Sequence, residues 1–184
     1  GVMLTGSHNP AEYNGLKIII NNKNIDNVNI IYENIQSLYF RDGNGSYEYK
    51  NITPSYIRAI TKQFSMKYKL KIAIDCANAV AGSFAPFLFK QLGLDVTEIN
   101  CDVDGNFPNH DPDPSNTNNI KDLINIVIDN KLDFGLAFDG DADRLCIVTP
   151  KGEVISPEVL MLFLAKDFLI INSEVSVVYD IKCS

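Results

Sequence analysis

The densest run of chemistry-bearing residues is Asp139-Gly140-Asp141-Ala142-Asp143-Arg144, directly after the apolar stretch Phe134–Phe138. Three carboxylates alternate over five residues, and alternate residues of a loop can converge on one point. Two carboxylates ~4 Å apart repel by roughly 4 kcal/mol at an effective dielectric of ~20. Arg144 offsets part of that repulsion, and a divalent cation would resolve it. An all-oxygen ligand set favours Mg²⁺, Mn²⁺ or Ca²⁺ over zinc. Three protein oxygens leave positions open for substrate or water, which suits a catalytic ion. An EF-hand does not fit, because its sixth position would be Arg144 instead of Gly and its twelfth Pro150 instead of Glu. Two alternatives remain open on these residues. A Mg²⁺-dependent phosphatase with an aspartate nucleophile also begins with a strand and Asp-x-Asp, although it wants Thr or Val where this chain has Asp143. A non-catalytic cation-binding module is the other.

The second run is Thr5-Gly6-Ser7-His8-Asn9-Pro10. Ser7 follows a strand-like stretch and a glycine, so its hydroxyl can stand on an exposed loop, and Asn9-Pro10 forces a turn. A serine hydroxyl is a weak nucleophile until a base or a metal activates it. His8 and Lys17 are the nearby candidates for proton work or anion contact. A hydrolase triad is disfavoured, since no G-x-S-x-G is present.

These residues need elements to carry them, and the chain alternates strand-like and helix-like segments. Strands are expected at Val2–Thr5, Leu16–Ile20, Lys71–Asp75, Asp95–Ile99, Phe134–Phe138, Leu145–Thr149, Glu153–Ile155 and Val175–Tyr179. The apolar spacing predicts helices over Val28–Phe40, from Thr53 (as cap, with Pro54 in the first turn), over Ser83–Leu92 with Gly93 ending it, over Asn116–Asn130, and from Ser156-Pro157 to about Ile170. Cys101–Ser115, with Pro108, Pro112 and Pro114, is a long irregular segment of the kind that is usually functional. This order predicts an α/β fold with layered, mixed but largely parallel sheets flanked by helices. Residues 53–153 hold enough elements for one complete domain, with 1–52 ending one and 154–184 starting another. The chain opens at Gly1 in a strand end and closes in a strand-like run, so a piece of a longer polypeptide is expected.

Composition narrows the function. The 184 residues are 46% hydrophobic and 21% charged, which fits a globular protein. A net charge of −7 argues against nucleic acid as a partner, so any anionic substrate must be held by a few local cations. No apolar stretch approaches the ~18 residues of a membrane span. Cys76, Cys101, Cys146 and Cys183 are scattered without a C-x-x-C, as expected of reduced, mostly buried thiols in a cytoplasmic protein.

Taken together, the motifs resemble a known family. Thr5–Pro10 followed by Tyr13-Asn14-Gly15-Leu16-Lys17 resembles the phosphoserine loop of the α-D-phosphohexomutases, and Asp139–Arg144 resembles their metal loop. Asp102–Pro114 is similar to a segment of the bacterial phosphomannomutase/phosphoglucomutase branch, and Asp180–Ser184 to a substrate-contacting stretch of that branch. The resemblance covers essentially the whole chain in the right order. It implies an enzyme that interconverts hexose 1-phosphates and 6-phosphates of mannose or glucose through a bound hexose 1,6-bisphosphate. Ser7 would carry the phosphoryl group. Asp139, Asp141, Asp143 and an oxygen on Ser7 would hold Mg²⁺. Arg144 and Lys182 would contact substrate, His8 and Lys17 would help move protons, and Thr5 and Asn9 would shape the loop. The family has four domains around a cleft, so this segment alone is expected to be inactive. One departure stands out: Ala142 replaces the family's usual Gly, where a positive φ would be costly.

Overall fold

The computed structural model describes residues 1–25, 29–38, 40, 42–172 and 175–178. The chain opens with a small antiparallel sheet of β1 (Val2–Leu4), β2 (Leu16–Ile20) and β3 (Lys23–Asn24), with Met3 opposite Lys17. A short helix follows, α1 (Asn29–Gln36). It is shorter than the expected Val28–Phe40: Leu38 takes a positive φ of 52°, and Val28 and Tyr39 lie outside the described residues.

The main sheet has the order β5-β4-β6-β7-β8. Its parallel centre is β4 (Lys71–Asp75), flanked by β5 (Asp95–Ile99) and β6 (Phe134–Phe138). β7 (Leu145–Val148) and β8 (Val154–Ile155) extend it antiparallel, so the sheet is mixed. β4 is buried on both faces, which is why it reads as an unbroken apolar run. Ile72 and Ile74 point to one side, with Ala81, Ala85, Leu94 and Leu136 around α3 (Ala85–Gln91). Ala73 points to the other, with Leu123 and Val127 of α4 (Lys121–Asp129) and with Ala137 and Val148. The helix sits close because Gly135 of β6 has no side chain: a Cβ there would lie 2.8 Å from both Leu123 Cδ1 and Val127 Cγ2.

Several boundaries differ from expectation for local reasons. Thr53 does not cap α2 (Thr53–Gln63); it is the first helical residue, and Asn51 Oδ1 accepts its N–H at 3.1 Å. The helix expected from Ser83 is a 3₁₀ turn at Val80–Ser83 followed by α3, because Pro86 belongs at a helix start and not inside one. α4 starts at Lys121 instead of Asn116. The Asp113 and Asn116 side chains take the Ser115 and Asn118 N–H groups first, at 3.0 and 3.1 Å, which holds that backbone in turns. α5 (Pro157–Ile171) matches the predicted helix. Residues 175–178 of the expected last strand pair with no described strand, and Tyr179–Ser184 lie outside the described residues. No described helix is long and apolar enough to cross a membrane.

Leu123 is fully buried against the gap left by Gly135. Leu123→Ala should therefore cost ~2–5 kcal/mol, read as a lower urea midpoint at unchanged m-value; a loss under ~1 kcal/mol would show that α4 collapses into the space.

Candidate active site

The carboxyl end of the parallel strand β6 supplies the acidic half of the site, a usual position in α/β sheets. β6 runs straight into Asp139, so burial of Phe134–Phe138 fixes where that carboxylate stands. The loop that follows is tight: Ala142 N–H donates to Asp139 O at 3.1 Å, and Arg144 N–H donates to Asp139 Oδ1 at 3.1 Å. Ala142 has a φ of 61°, the left-handed conformation foreseen for this position. An L-residue pays ~1–2 kcal/mol for it.

The opposing loop is built on the small sheet. Thr5 N–H donates to Gly15 O at 3.0 Å, and Asn9 N–H to Gly6 O at 3.1 Å, which turns the chain and lifts Ser7 (φ 52°) to its tip. The two loops touch backbone to backbone. A Cβ on Gly140 would lie 1.9 Å from Ser7 O, so only glycine lets them meet. Ser7 Oγ then stands 3.3 Å from Asp139 Oδ2 and 3.3 Å from His8 Nδ1. Thr5 Oγ1 accepts the Ser7 N–H at 2.8 Å and donates to Asp141 Oδ2 at 2.8 Å. Lys17, delivered by β2, donates from Nζ to Asp141 Oδ2 at 3.1 Å and to Asp143 Oδ2 at 3.5 Å.

One ligand oxygen each from Asp139, Asp141 and Asp143 lies within 4.8 Å of the others. Asp139 is fully buried, and burial together with Asp141 and Asp143 raises its pKa. Burial pushes Asp141 upward too, but the Thr5 hydroxyl and the Lys17 ammonium outweigh it and hold the group below its ordinary value. Hydrogen bonding to Asp141 raises Lys17. Asp141 Oδ1 is buried with no hydrogen-bond partner among the described residues. A buried, unpartnered carboxylate oxygen facing two further carboxylates is the donor set a hard divalent cation requires.

Ser7, His8, Lys17, Asp139, Asp141 and Asp143 therefore converge. Among the described residues, the Arg144 guanidinium pairs with Asp143, at 4.0 Å. Lys182 lies outside the described residues. A cavity of about 340 Å³ opens beside Ser7, lined by Thr5, Asn9, Asn78, Val80, Phe107 and Asp141 among others.

One pair went unnoticed in the sequence. His110, from the long segment after β5, sets Nε2 3.1 Å from Oδ2 of the buried Asp75 and Nδ1 2.8 Å from Asp111 O. Both ring nitrogens face acceptors, which favours the imidazolium. The only sequence signal was Asp75 itself, an acid ending an otherwise apolar strand.

The family model for phosphoglucomutase/phosphomannomutase alpha/beta/alpha domain II matches residues 54–152, and that for domain I matches residues 1–42. The chain belongs to the phosphoglucomutase/phosphomannomutase family. It is 44% identical to a phosphomannomutase/phosphoglucomutase of Pseudomonas aeruginosa over 186 aligned residues, covering 100% of this chain and 40% of that protein. It is 43% identical to a phosphoglucomutase of Neisseria meningitidis, covering 99% of this chain and 40% of that one. A crystal structure of a family member from Burkholderia thailandensis superposes with a TM-score of 0.88 at 38% identity, over 93% of this chain and 38% of that one. The chain spans about 40% of the length of the curated relatives it matches.

Two outcomes test the site. Gly140→Ala should destabilise by ~1–3 kcal/mol or more, because backbone cannot yield as a side chain does. Gly105→Ala, whose Cβ meets nothing within 4 Å, should stay within ~0.5 kcal/mol; equal effects in thermal melts would disprove the close approach. The Asp75 bond, followed by the Asp111 carbonyl and the Asp122 charge, raises His110 above 6.5. The pair's stabilisation is complete below the unfolded value and lost as pH rises through the folded one. His110→Gln should accordingly destabilise more at about pH 6 than at about pH 9, and a pH-independent penalty in urea titrations would refute the charged pair.

Proposed function

We propose that this chain is the phosphoserine- and metal-bearing part of a phosphohexomutase that exchanges hexose 1-phosphate and hexose 6-phosphate. The observation that carries the reading is the Ser7 hydroxyl 3.3 Å from Asp139, beside two more carboxylates and a buried orphan oxygen. The alternatives, an aspartyl phosphatase and a non-catalytic cation module, are not favoured by the relatives. On this reading residues 1–52 close the first domain, 53–153 form the second and 154–184 begin the third. The activity belongs to a polypeptide of the relatives' length.

Asp139, Asp141 and Asp143, with an oxygen on Ser7, would hold Mg²⁺, which when bound neutralises charge on the transferring phosphoryl group. Ser7 carries that group at rest. The free hydroxyl of a hexose monophosphate attacks phosphorus, a new O–P bond forms, and the bond to Ser7 Oγ breaks. The attacking hydroxyl sheds its proton as the leaving Ser7 oxygen takes one up, and His8 Nδ1, 3.3 Å from that oxygen, is in reach to deliver it. Lys17, bonded to Asp141 and Asp143, adds positive charge to the acidic cluster and steers Asp141. The bisphosphate then turns over, presents its second phosphate, and returns a phosphoryl group to Ser7. Arg144 and Lys182 would contact the substrate. With a net charge of −7, anion binding falls to such local cations. Cytoplasm is the expected compartment, since anionic sugar phosphates are retained there and dispersed thiols stay reduced.

Incubation of the full-length polypeptide with a hexose 1,6-bisphosphate, followed by peptide mass mapping, should locate phosphate on Ser7. Ser7→Ala should bring mutase turnover below detection while leaving the melting curve intact. Phosphate retained on Asp139 would transfer support to the phosphatase reading. Calorimetric titration of Mg²⁺ adds a second measure: affinity indifferent to phosphorylation of Ser7 would favour the cation-binding module.

A further inference from the structure

Cys76 and Cys101 are 25 residues apart, yet their sulfurs lie 3.5 Å from each other. The topology produces this. β4 and β5 are adjacent and parallel, with Asp75 opposite Ile99, and each cysteine follows its strand by one or two residues. We infer that Cys76 and Cys101 form a reversible dithiol–disulfide couple that responds to peroxide.

Three observations support it. Hydrogen bonds hold the two cysteine-bearing segments side by side. Cys76 N–H donates to Ile99 O at 3.1 Å, Asn78 N–H to Asn100 O at 2.7 Å, and Asn78 Nδ2 to Asp102 O at 2.7 Å. The sulfurs have to close from 3.5 Å to the ~2.05 Å of a disulfide. The sulfurs are also unequal: Cys76 is fully buried, whereas Cys101 is half-buried. Cys101 and burial push the Cys76 thiol up. Cys101, the more exposed sulfur, is thus the group that meets an oxidant and Cys76 the one that resolves it. Finally, Cys146 cannot compete. It packs on the α4 side of the sheet, whereas Cys76 and Cys101 belong to the α3 side.

The chemistry balances. The Cys101 thiol gives up its proton and attacks one peroxide oxygen; the O–O bond breaks, the departing hydroxide takes that proton as one water, and Cys101 is left as a sulfenic acid. The Cys76 sulfur attacks Cys101 Sγ, the S–S bond forms, and hydroxide leaves as a second water with the Cys76 proton. Two thiols supply two electrons to one peroxide, and a dithiol reductant reverses the reaction. The bond would tie together two segments, Asn78–Val80 and Val103–Phe107, that line the cavity beside Ser7.

The test treats the protein and its Cys183→Ser variant with stoichiometric hydrogen peroxide, alkylates free thiols, and maps peptides without reduction. The expected major product joins the Cys76 and Cys101 peptides, lacks two hydrogens, and disappears with dithiothreitol. In Cys101→Ser, and in Cys101→Ala should the first variant melt early, Cys76 should stay unoxidised and fully alkylatable after unfolding. Sulfinic acid on Cys101 with Cys76 free, a link to Cys146 or Cys183, or two unreacted thiols would each overturn the inference.

Discussion

The contact between Gly140 and the Ser7 carbonyl governs the rest of the site. With a side chain at 140 the two loops would stand apart by at least the width of a methyl group. Ser7 Oγ would then lose Asp139, and Thr5 would lose Asp141. Everything on the Ser7 side is arranged to reach that meeting point. β1 and β2 pair so that Lys17 enters from one side, the Gly15 carbonyl closes the loop, and the left-handed Ser7 turns its hydroxyl toward the acids. The opposing side is held by the sheet. Asp139 is fixed because Phe134–Phe138 is threaded between β4 and β7, and the cost of moving it would be that of displacing a core strand.

This rigidity matters because the carboxylates oppose one another. Three acids within 4.8 Å would spread if the loop were free, since each pair repels by several kcal/mol in a partly buried setting. Lys17 and Thr5 satisfy one oxygen of Asp141 and the Arg144 N–H one oxygen of Asp139. Asp141 Oδ1 is left over. The fold thus stores an electrostatic deficit of one cation, kept in place by hydrophobic burial elsewhere. That division of labour is typical of functional sites, where local stability yields to preorganisation.

The strands were legible because their residues are buried on both faces: Ile72, Ile74, Leu136 and Ala137 spell out the sheet. Asp139 and its neighbours were legible because their spacing has little other use. Helix starts were harder to read. Asn116 and Asp113 turned their side chains onto the backbone, and Asn51 rather than Thr53 served the start of α2, choices decided by competition for single N–H groups. Non-local pairs left no periodic trace at all. Nothing near Gly140 announces that Ser7 will press against it, and the pairing of Asp75 with His110, 35 residues away, depends on where a long loop folds back.

That loop is a strut instead of a connection. From Cys101 to Ile120 it has neither helix nor strand, yet Pro112 is fully buried, and a Cβ on Gly140 would sit 3.6 Å from Pro112 Cβ. His110 anchors the loop to β4 two residues earlier. One residue later, burial pushes Asp113 up, but bonds from Ser115 and the charges of His8 and Arg144 hold it below its ordinary value. The segment therefore runs from the end of one parallel strand to the underside of the acidic loop on the next but one, with three prolines limiting its freedom. A helix could not make this path, because it would turn its backbone groups inward and leave nothing to meet Asp75 or wedge beneath Gly140. The irregularity is what lets the main sheet hold three mutually repelling acids at the point where the Ser7 loop of the small sheet meets them.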